Sequence, residues 1–325
     1  MPELGRWVMV AVAGASALWV AGAIHFDVCG ARRYGRWFAL AWLLAVAALF
    51  ATIDTGTAFL AYLAVSIPFT IGWLFQKPSH DREWEPGVAV LPRAIVNGDE
   101  IVIENLRNFD YPAPGEFTPR YETRTVRLAN LAAVDILFFN WGKKWMSHPV
   151  LVFDFGPDGR VCISVEVRYR RVQDFAIVRS LYRQQELIFV VADERDIILR
   201  RTRTEKPQEA LLYRMTVPPD EARTAFLDYV NALNDLFLRP RWYHGVCMNC
   251  TTTFYRLPGS KVRLDWRVLA NGLLDRALYD DGRLDRRLPF EQLRKNAFIT
   301  DVANAAPEAG FGDHIRRELE NRLHG

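Results

Sequence analysis

A chain of 325 residues in which half the positions are hydrophobic and 13% are aromatic can bury a full core, which excludes a disordered protein. Its 41 Lys and Arg stand against 38 Asp and Glu, a formal net charge of +3. No basic stripe with interleaved aromatics is present, so no nucleic-acid partner is expected.

The first 76 residues read as membrane. Trp7 to Ile24, Trp37 to Ile53 and Thr55 to Phe75 carry no charge, and each run of about 17–21 residues matches the length that crosses a hydrocarbon core. As one helix, Trp37 to Phe75 would be about 58 Å long at 1.5 Å per residue, roughly twice the bilayer core. A hairpin of two spans broken at Asp54-Thr-Gly56 fits better, giving transmembrane helices at about 7–24, 37–53 and 55–75. Ala21-Gly22-Ala23 has the small residues of a signal-peptidase site, but the basic region before it is poor and further spans follow, which favours a signal anchor. Arg32, Arg33 and Arg36 between the first two spans argue weakly for a cytoplasmic loop and hence a cytoplasmic domain. After the third span, Lys77 and Arg82 lie among Asp81, Glu83 and Glu85 and add no positive excess.

Residues 77–98 are polar, contain Pro78 and Pro92, and lack a helical period, as a linker would. Short β-rich runs follow at Glu100 to Glu104, Val134 to Phe139, Pro149 to Phe155, Val161 to Arg168, Glu186 to Ala192, Ile197 to Arg201 and Ala210 to Met215. An amphipathic helix starts after Pro218-Pro219-Asp220. Its apolar positions Ala222, Ala225, Phe226, Tyr229, Val230, Leu233 and Phe237 keep the i, i+3, i+4, i+7 rule until Pro240. A second helix is predicted from Asp265 to Tyr279, and a charged helical tail, residues 301–325, is helical from Asp313 to Leu323. Strands in succession followed by helices predict an α+β domain over residues 99–300 with an antiparallel sheet and packed helices.

Pro157-Asp158-Gly159 fits a three-residue hairpin loop closed by a left-handed glycine. Such a loop pairs Gly156 with Arg160 and sets Val150 opposite Glu166 and His148 opposite Arg168. Because side chains alternate, His148, Val150, Ser164, Glu166 and Arg168 share one face, and Val161, Ile163, Val165 and Val167 point to the core. His148 and Glu166 then lie diagonally, about 7–8 Å apart at the backbone and within side-chain reach. A loop of even length would separate them.

Further on, Asn249 is a favoured N-cap and Thr251 to Leu257 contain no breaker before Pro258-Gly259, which places Cys250 on the first turn of a helix. The dipole and unpaired N–H groups there acidify a thiol. Several other readings compete. Cys250 could be a buried small hydrophobe, as cysteines usually are. Cys247 and Cys250 match a redox Cys-x-x-Cys, without the βαβ unit that would support it. His244, Cys247, Cys250 and Cys162 could bind zinc, but no second close ligand pair is present, so no metal and no cofactor is expected. His25, His80, His314 and His324 read as membrane-edge, linker and tail residues. Glu166 could be a surface glutamate paired with Arg168 or another arginine. Asp193-Glu-Arg-Asp196 reads as a salt-bridged turn, and Ser147 and Ser164 lack the Gly-x-Ser-x-Gly context of a nucleophile.

A histidine opening one strand, an acid on the next and a later cysteine opening a helix is the order of circularly permuted papain-like enzymes such as lecithin–retinol acyltransferase. The chain resembles more closely the N-terminal periplasmic domain of the Lnb family, the lipoprotein N-acyltransferase group. The likeness runs through Lys77-Pro-Ser-His-Asp-Arg82, Asn105-Leu-Arg-Asn-Phe-Asp110, Tyr121-Glu-Thr-Arg124, Ser147-His148, Ser164-Val-Glu-Val-Arg168, Ala192-Asp-Glu-Arg-Asp196 and Asn249-Cys-Thr-Thr252, over roughly residues 77 to 300. It implies an NlpC-like permuted papain fold, a multi-pass protein of the bacterial inner membrane with its soluble domain in the periplasm, and cysteine acyl transfer on a membrane lipid or lipoprotein. In that scheme Cys250 is the nucleophile, His148 the base and then acid, and Glu166 the group that orients it. Asn249, Ser164 and Arg168 are supporting or oxyanion residues. Cys247, three residues before the nucleophile, departs from the pattern. Two other classes stay open: an NlpC-type peptidase or amidase acting on cell-wall peptides, and a catalytically silent membrane-anchored scaffold.

Overall fold

The protein is described here by a computed structural model over residues 3–30, 32–142, 146–171, 178–245 and 271–324. It divides into two compact units: residues 1–82 with 172–186 and 241–245, and residues 83–171, 187–240 and 246–325.

In the first unit, α1 (Glu3–Ala23) continues into a π-helical turn at Ile24–Val28, followed by α2 (Gly35–Thr52) and α3 (Thr55–Leu74). All three are long and apolar enough to cross a membrane. Asp54 makes the break between α2 and α3, its carboxylate accepting from the Thr57 N–H at 3.1 Å as the α3 N-cap. Small residues let the helices meet: Ala13 and Ala17 are buried beside Tyr62, whose hydroxyl lies 2.6 Å from Ser16 Oγ. Trp7, Leu18, Trp37, Leu44 and Leu60 point outward, as lipid-facing side chains do. Asp27, in the π-turn, accepts from the Trp73 indole at 2.5 Å and the Gln184 amide at 2.9 Å, and Tyr182 stacks on Phe26. The segment leading to residue 186 is thereby tied to the helix ends.

Among the described residues the second unit is built on eight strands: β1 (Arg93–Asn97), β2 (Glu100–Arg107), β3 (Tyr121–Arg127), β4 (Ala133–Asn140), β5 (Ser147–Asp154), β6 (Arg160–Arg168), β7 (Glu186–Ala192) and β8 (Glu209–Arg214). The sheet runs β1-β2-β7-β6-β5-β4-β8, with β3 also paired to β2. The pairs β1/β2, β2/β3, β4/β5, β4/β8 and β5/β6 are antiparallel; β2 meets β7 in the parallel sense at Arg107 and Ala192. Six further helices complete the described part: α4 (Glu194–Thr202), α5 (Pro219–Leu238), α6 (Leu274–Asp280), α7 (Phe290–Asn296), α8 (Thr300–Ala305) and α9 (Phe311–His324), of which α4 is the one that matters most for the site. The result is the expected α+β architecture behind three membrane-length helices.

Both faces of the central strands are covered, so the predicted division into a core face and a polar face needs correcting. Phe153 and Phe155 pack edge-on against Phe226 of α5, with ring centroids 5.1 and 4.9 Å apart. Burying a phenylalanine such as Phe226 contributes about 1.5–3 kcal/mol. On the opposite face Val150, Val152, Cys162, Ile188 and Val190 form one cluster with Ile197 and Ile198 of α4, Ala303 of α8, and Phe311 and Ile315 of α9. His148, Ser164 and Glu166 belong to this second buried face by the alternation of their strands.

Two local expectations also change. Ile197 to Arg201, read as a strand, lies inside α4. Asp193 caps that helix by accepting from the Arg195 N–H at 2.9 Å, acids fill its first turn and Arg200 and Arg201 its last. The β5–β6 hairpin pairs Asp154, not Gly156, with Arg160. Its loop is five residues, Phe155 to Gly159, containing a 3-10 turn at Gly156–Asp158 and a bond from the Phe155 N–H to the Gly159 carbonyl at 3.0 Å. Gly159 supplies the positive φ (88°) that closes it. Three and five are both odd, so every residue keeps its predicted face while the register moves by two. Finally, β1 occupies residues read as linker, and the second predicted helix is described from a 3-10 turn at Asn271–Leu273 into α6, its start at 265–270 lying outside the described residues.

Candidate functional site

The shifted register carries His148 from a diagonal relation to Glu166 toward a directly facing one. The paired ladder runs from Asp154 and Arg160 to Leu151 and Ile163, and three more residues along each strand bring position 148 to position 166. His148 Nε2 lies 2.7 Å from Ser164 Oγ, and Ser164 Oγ donates to Glu166 Oε1 at 2.8 Å. Nε2 itself is 3.9 Å from that carboxylate oxygen, too far for a direct hydrogen bond. The same oxygen accepts from Arg201 Nη2 at 2.6 Å. Arg201 comes from the last turn of α4 and lies over the Phe139 ring at 5.0 Å. Trp141, just past β4, stacks on the imidazole with ring centroids 6.5 Å apart and planes 15° from parallel. Four groups from two strands and one helix are thus joined in a row: His148, Ser164, Glu166, Arg201.

Burial and charge fix their protonation. His148 is 5% exposed and Ser164 fully buried. Burial, helped by the positive charge of Arg201, pushes the His148 imidazole down from 6.5 to about 3, against a weaker opposite pull from Glu166. Burial alone would raise the Glu166 carboxyl, but Arg201, His148, Arg107 and Arg200 outweigh it and hold it well below the usual carboxylate range. At neutral pH the pair is a neutral imidazole beside a carboxylate. A neutral imidazole can accept a proton, and an ionised partner stabilises the cation that results.

Arg168, expected beside Glu166, is instead engaged elsewhere. Its guanidinium donates to the Val88 and Ala89 carbonyls at 3.0 and 2.5 Å and lies over the Trp84 ring at 4.3 Å, fastening the stretch before β1 to the sheet. Arg201, which sequence reading did not single out, takes that place. The signal was present: Asp193 followed by Glu194 and Asp196, with Arg200 and Arg201 a turn and a half later, is a helix with cap and dipole-matched ends. Read as a strand, the same residues scatter their arginines to both faces. The cluster Asp193 to Asp196 is the salt-bridged turn it was expected to be. Arg124 holds Asp193 at 2.8 Å, Arg316 holds Glu194 at 2.9 Å, Asp110 meets Arg195 at 2.9 Å and Arg107 meets Asp196 at 2.6 Å.

The expected nucleophile Cys250, its neighbours Asn249 and Cys247, and the proposed helix at Thr251 lie outside the described residues. Among the described residues no group of three or more His, Cys, Asp or Glu side chains is arranged to hold a metal ion. Cys162, one of the ligands weighed for zinc, is fully buried in the core between β5 and α4, and burial pushes its thiol well up.

Residues 117–270 match the family model described as the Lnb N-terminal periplasmic domain. No curated protein and no solved structure matches the chain. The matched stretch holds β4, β5, β6 and α4 and therefore all four members of the His148 row, together with position 250.

Proposed function

We propose, from the match of residues 117–270 to the Lnb N-terminal periplasmic domain model, that the chain is a membrane-anchored cysteine acyltransferase of the bacterial inner membrane. A periplasmic-type domain following three helices of membrane length fits a membrane protein whose soluble part faces the periplasm. In the proposed reaction His148 takes the proton of the Cys250 thiol. The thiolate adds to an ester or amide carbonyl, and His148 returns the proton to the leaving alcohol or amine as the C–O or C–N bond breaks, leaving a thioester on Cys250. An amine or water then attacks the thioester, His148 removing its proton, and the thiol is released. The Cys250 N–H, which the sequence reading puts on the first turn of a helix after Asn249, would hold the oxyanion. Membrane spans on the same chain suit a substrate presented at the bilayer surface, a lipid ester or a lipoprotein N-terminus.

The observation that carries this reading is geometric: a buried imidazole joined through the Ser164 hydroxyl to a carboxylate that Arg201 holds in place. Two measurements test it. Iodoacetamide alkylation of Cys250 against pH should show a midpoint well below that of a free thiol, and the midpoint should shift in His148→Ala. An ordinary, unshifted midpoint would favour a silent scaffold. Mass spectrometry after incubation with phospholipid should then show an acyl adduct on Cys250. A reactive thiol without the adduct, turning over wall peptides instead, would move the assignment to a peptidase or amidase. Turnover should be lost in Cys250→Ser and kept in Cys247→Ser; loss in both would favour dithiol chemistry.

A further inference from the structure

Building on the acyltransfer reading of this site, we infer that Ser164 is the positioning residue that sets the tautomer of His148, with Arg201 locking the carboxylate to which the serine answers, so that Nδ1 becomes the basic nitrogen. The assignment follows from counting hydrogens. An ionised carboxylate only accepts and a guanidinium only donates. Glu166 Oε1 therefore receives a hydrogen from Arg201 Nη2 at 2.6 Å and another from Ser164 Oγ at 2.8 Å. A serine hydroxyl has one hydrogen, and it is spent on the glutamate. The 2.7 Å contact with His148 must then run the other way, from Nε2–H to the serine oxygen. A neutral imidazole carries one ring hydrogen, so Nδ1 holds the lone pair.

The serine is necessary because the two titratable groups do not touch. At 3.9 Å, Nε2 and Oε1 are coupled through the hydroxyl or by charge alone. Ser164 is fully buried, and bulk water does not compete for its hydrogen or its oxygen. The arginines that act on Glu166 come from β2 (Arg107, itself paired with Asp196) and α4 (Arg200, beside Glu85, and Arg201, bonded to Glu166 directly). They keep Glu166 an acceptor, and an acceptor is what forces the serine hydrogen in one direction. Arg201 is held across from Phe139, so its reach to Oε1 is fixed by packing as well as by charge. When the imidazole gains a proton at Nδ1, the Nε2–H···Oγ–H···Oε1 row is already formed and needs no reorientation, which is the preorganisation an efficient base requires.

The test uses the full chain in detergent with 15N-labelled histidine, His148 being assigned by the signal lost in His148→Gln. At neutral pH Nδ1 should resonate as an unprotonated ring nitrogen and Nε2 as a protonated one. Ser164→Ala, one oxygen smaller, should mix or reverse the tautomers, Ser164→Thr should restore the wild-type pattern because it keeps the hydroxyl, and Arg201→Met should weaken the preference. The first and third variants should also slow acylation of Cys250 by roughly tenfold to a hundredfold, the worth of a hydrogen bond to a charged group. A merely structural serine would leave the tautomer unchanged in Ser164→Ala, and that result overturns the inference, as does a wild-type His148 protonated at Nδ1. The outcomes separate the two layers. A tautomer that depends on Ser164, in a protein that never acylates Cys250, upholds the inference and removes the acyltransfer reading. An acyl adduct with an indifferent tautomer does the reverse.

Discussion

The two ends of helix α4 hold buried carboxylates against arginines and do opposite things with them. At the first turn, burial raises the Glu194 carboxyl, and Arg316 and Arg160 only partly offset it, because Arg316 is shared with Asp135. At the last turn, Arg201 joins Arg107 and Arg200 around Glu166, and positive charge prevails over burial. The first end is balanced, its acids matched by arginines from β2, β3, β6 and α9. At the second, Arg107 and Arg200 also have acids of their own in Asp196 and Glu85, and Arg201 is the arginine bonded to the carboxylate beside the imidazole. An ionic cluster away from any titratable ring fastens elements together; one linked to an imidazole through a hydroxyl also sets a protonation state. This difference, more than burial or pairing as such, marks the His148 end as the functional one.

Breaking the two ends separately should give two unlike phenotypes. The largest effect is expected for His148→Gln, which removes the base and should lower turnover about 10²–10⁴-fold. Circular dichroism should show the fold retained, and a loss below tenfold would remove His148 from the chemistry. Asp196→Ala acts at the other end. Asp196 is fully buried, bonded to Arg107 at 2.8 and 2.6 Å and to the Phe109 N–H at 2.6 Å. Its loss leaves the Arg107 charge buried without its partner, which costs about 3–5 kcal/mol. The measurement is thermal unfolding followed by tryptophan fluorescence in detergent, with little change expected in turnover per folded molecule. A variant that keeps its stability and loses turnover would place the catalytic end of α4 at the wrong turn.

What could be read from the chain without coordinates follows the same division. The membrane helices were legible because hydrophobicity over about 20 residues is a strong one-dimensional signal. The shared face of His148 and Glu166 was legible because it depends only on whether the hairpin loop is odd. The register was not, since choosing between three and five residues rests on how Phe155 and Gly159 bond across the turn. Arg201 was missed because Ile197-Ile198-Leu199 is apolar enough for either a buried strand or a buried helix, and the decision lay with the cap at Asp193. Ser164 was visible as a residue on the right face, but its bridging position needs the 3.9 Å gap between its neighbours. Arg168 shows the limit in the other direction. Its strand position suggested Glu166, while tertiary structure offered it two carbonyls and an indole.

The pH dependence of stability sharpens the comparison, because the two ends contribute with opposite sign. His148 binds a proton near pH 6.5 when unfolded and only at about 3 when folded. Between those values the unfolded chain holds more protons, so the contribution present above pH 6.5 is lost on acidification, by about 1.4 kcal/mol per pH unit. Glu166, depressed from 4.5, adds to that loss only below pH 4.5. Glu194, raised from 4.5, works the other way as the pH falls through its folded value. The test is therefore a difference. Between pH 6.5 and 4.5 the stability of wild type minus that of His148→Gln should fall with acid at close to the one-proton slope, while Glu166→Gln should leave the wild-type slope in that window in place. Equal slopes in wild type and His148→Gln would mean that the imidazole is not held neutral by the fold.

The smallest effect is expected at the cap itself. Asp193 accepts from the Arg195 N–H at 2.9 Å and meets Arg124 at 2.8 Å, with its side chain partly exposed. Asp193→Ala removes an N-cap, typically worth about 1 kcal/mol, and Asp193→Asn, which can still cap, should recover most of it. Because the site takes Arg201 from the far end of the same helix, a frayed first turn would reach His148 only if α4 shifted as a whole. Ile197, Ile198 and Leu199 are locked into the core between the two ends, which opposes such a shift. Asp193→Ala should therefore lower the unfolding temperature and leave the His148 tautomer as it is. A tautomer that changes with the cap would show the two ends to be mechanically linked.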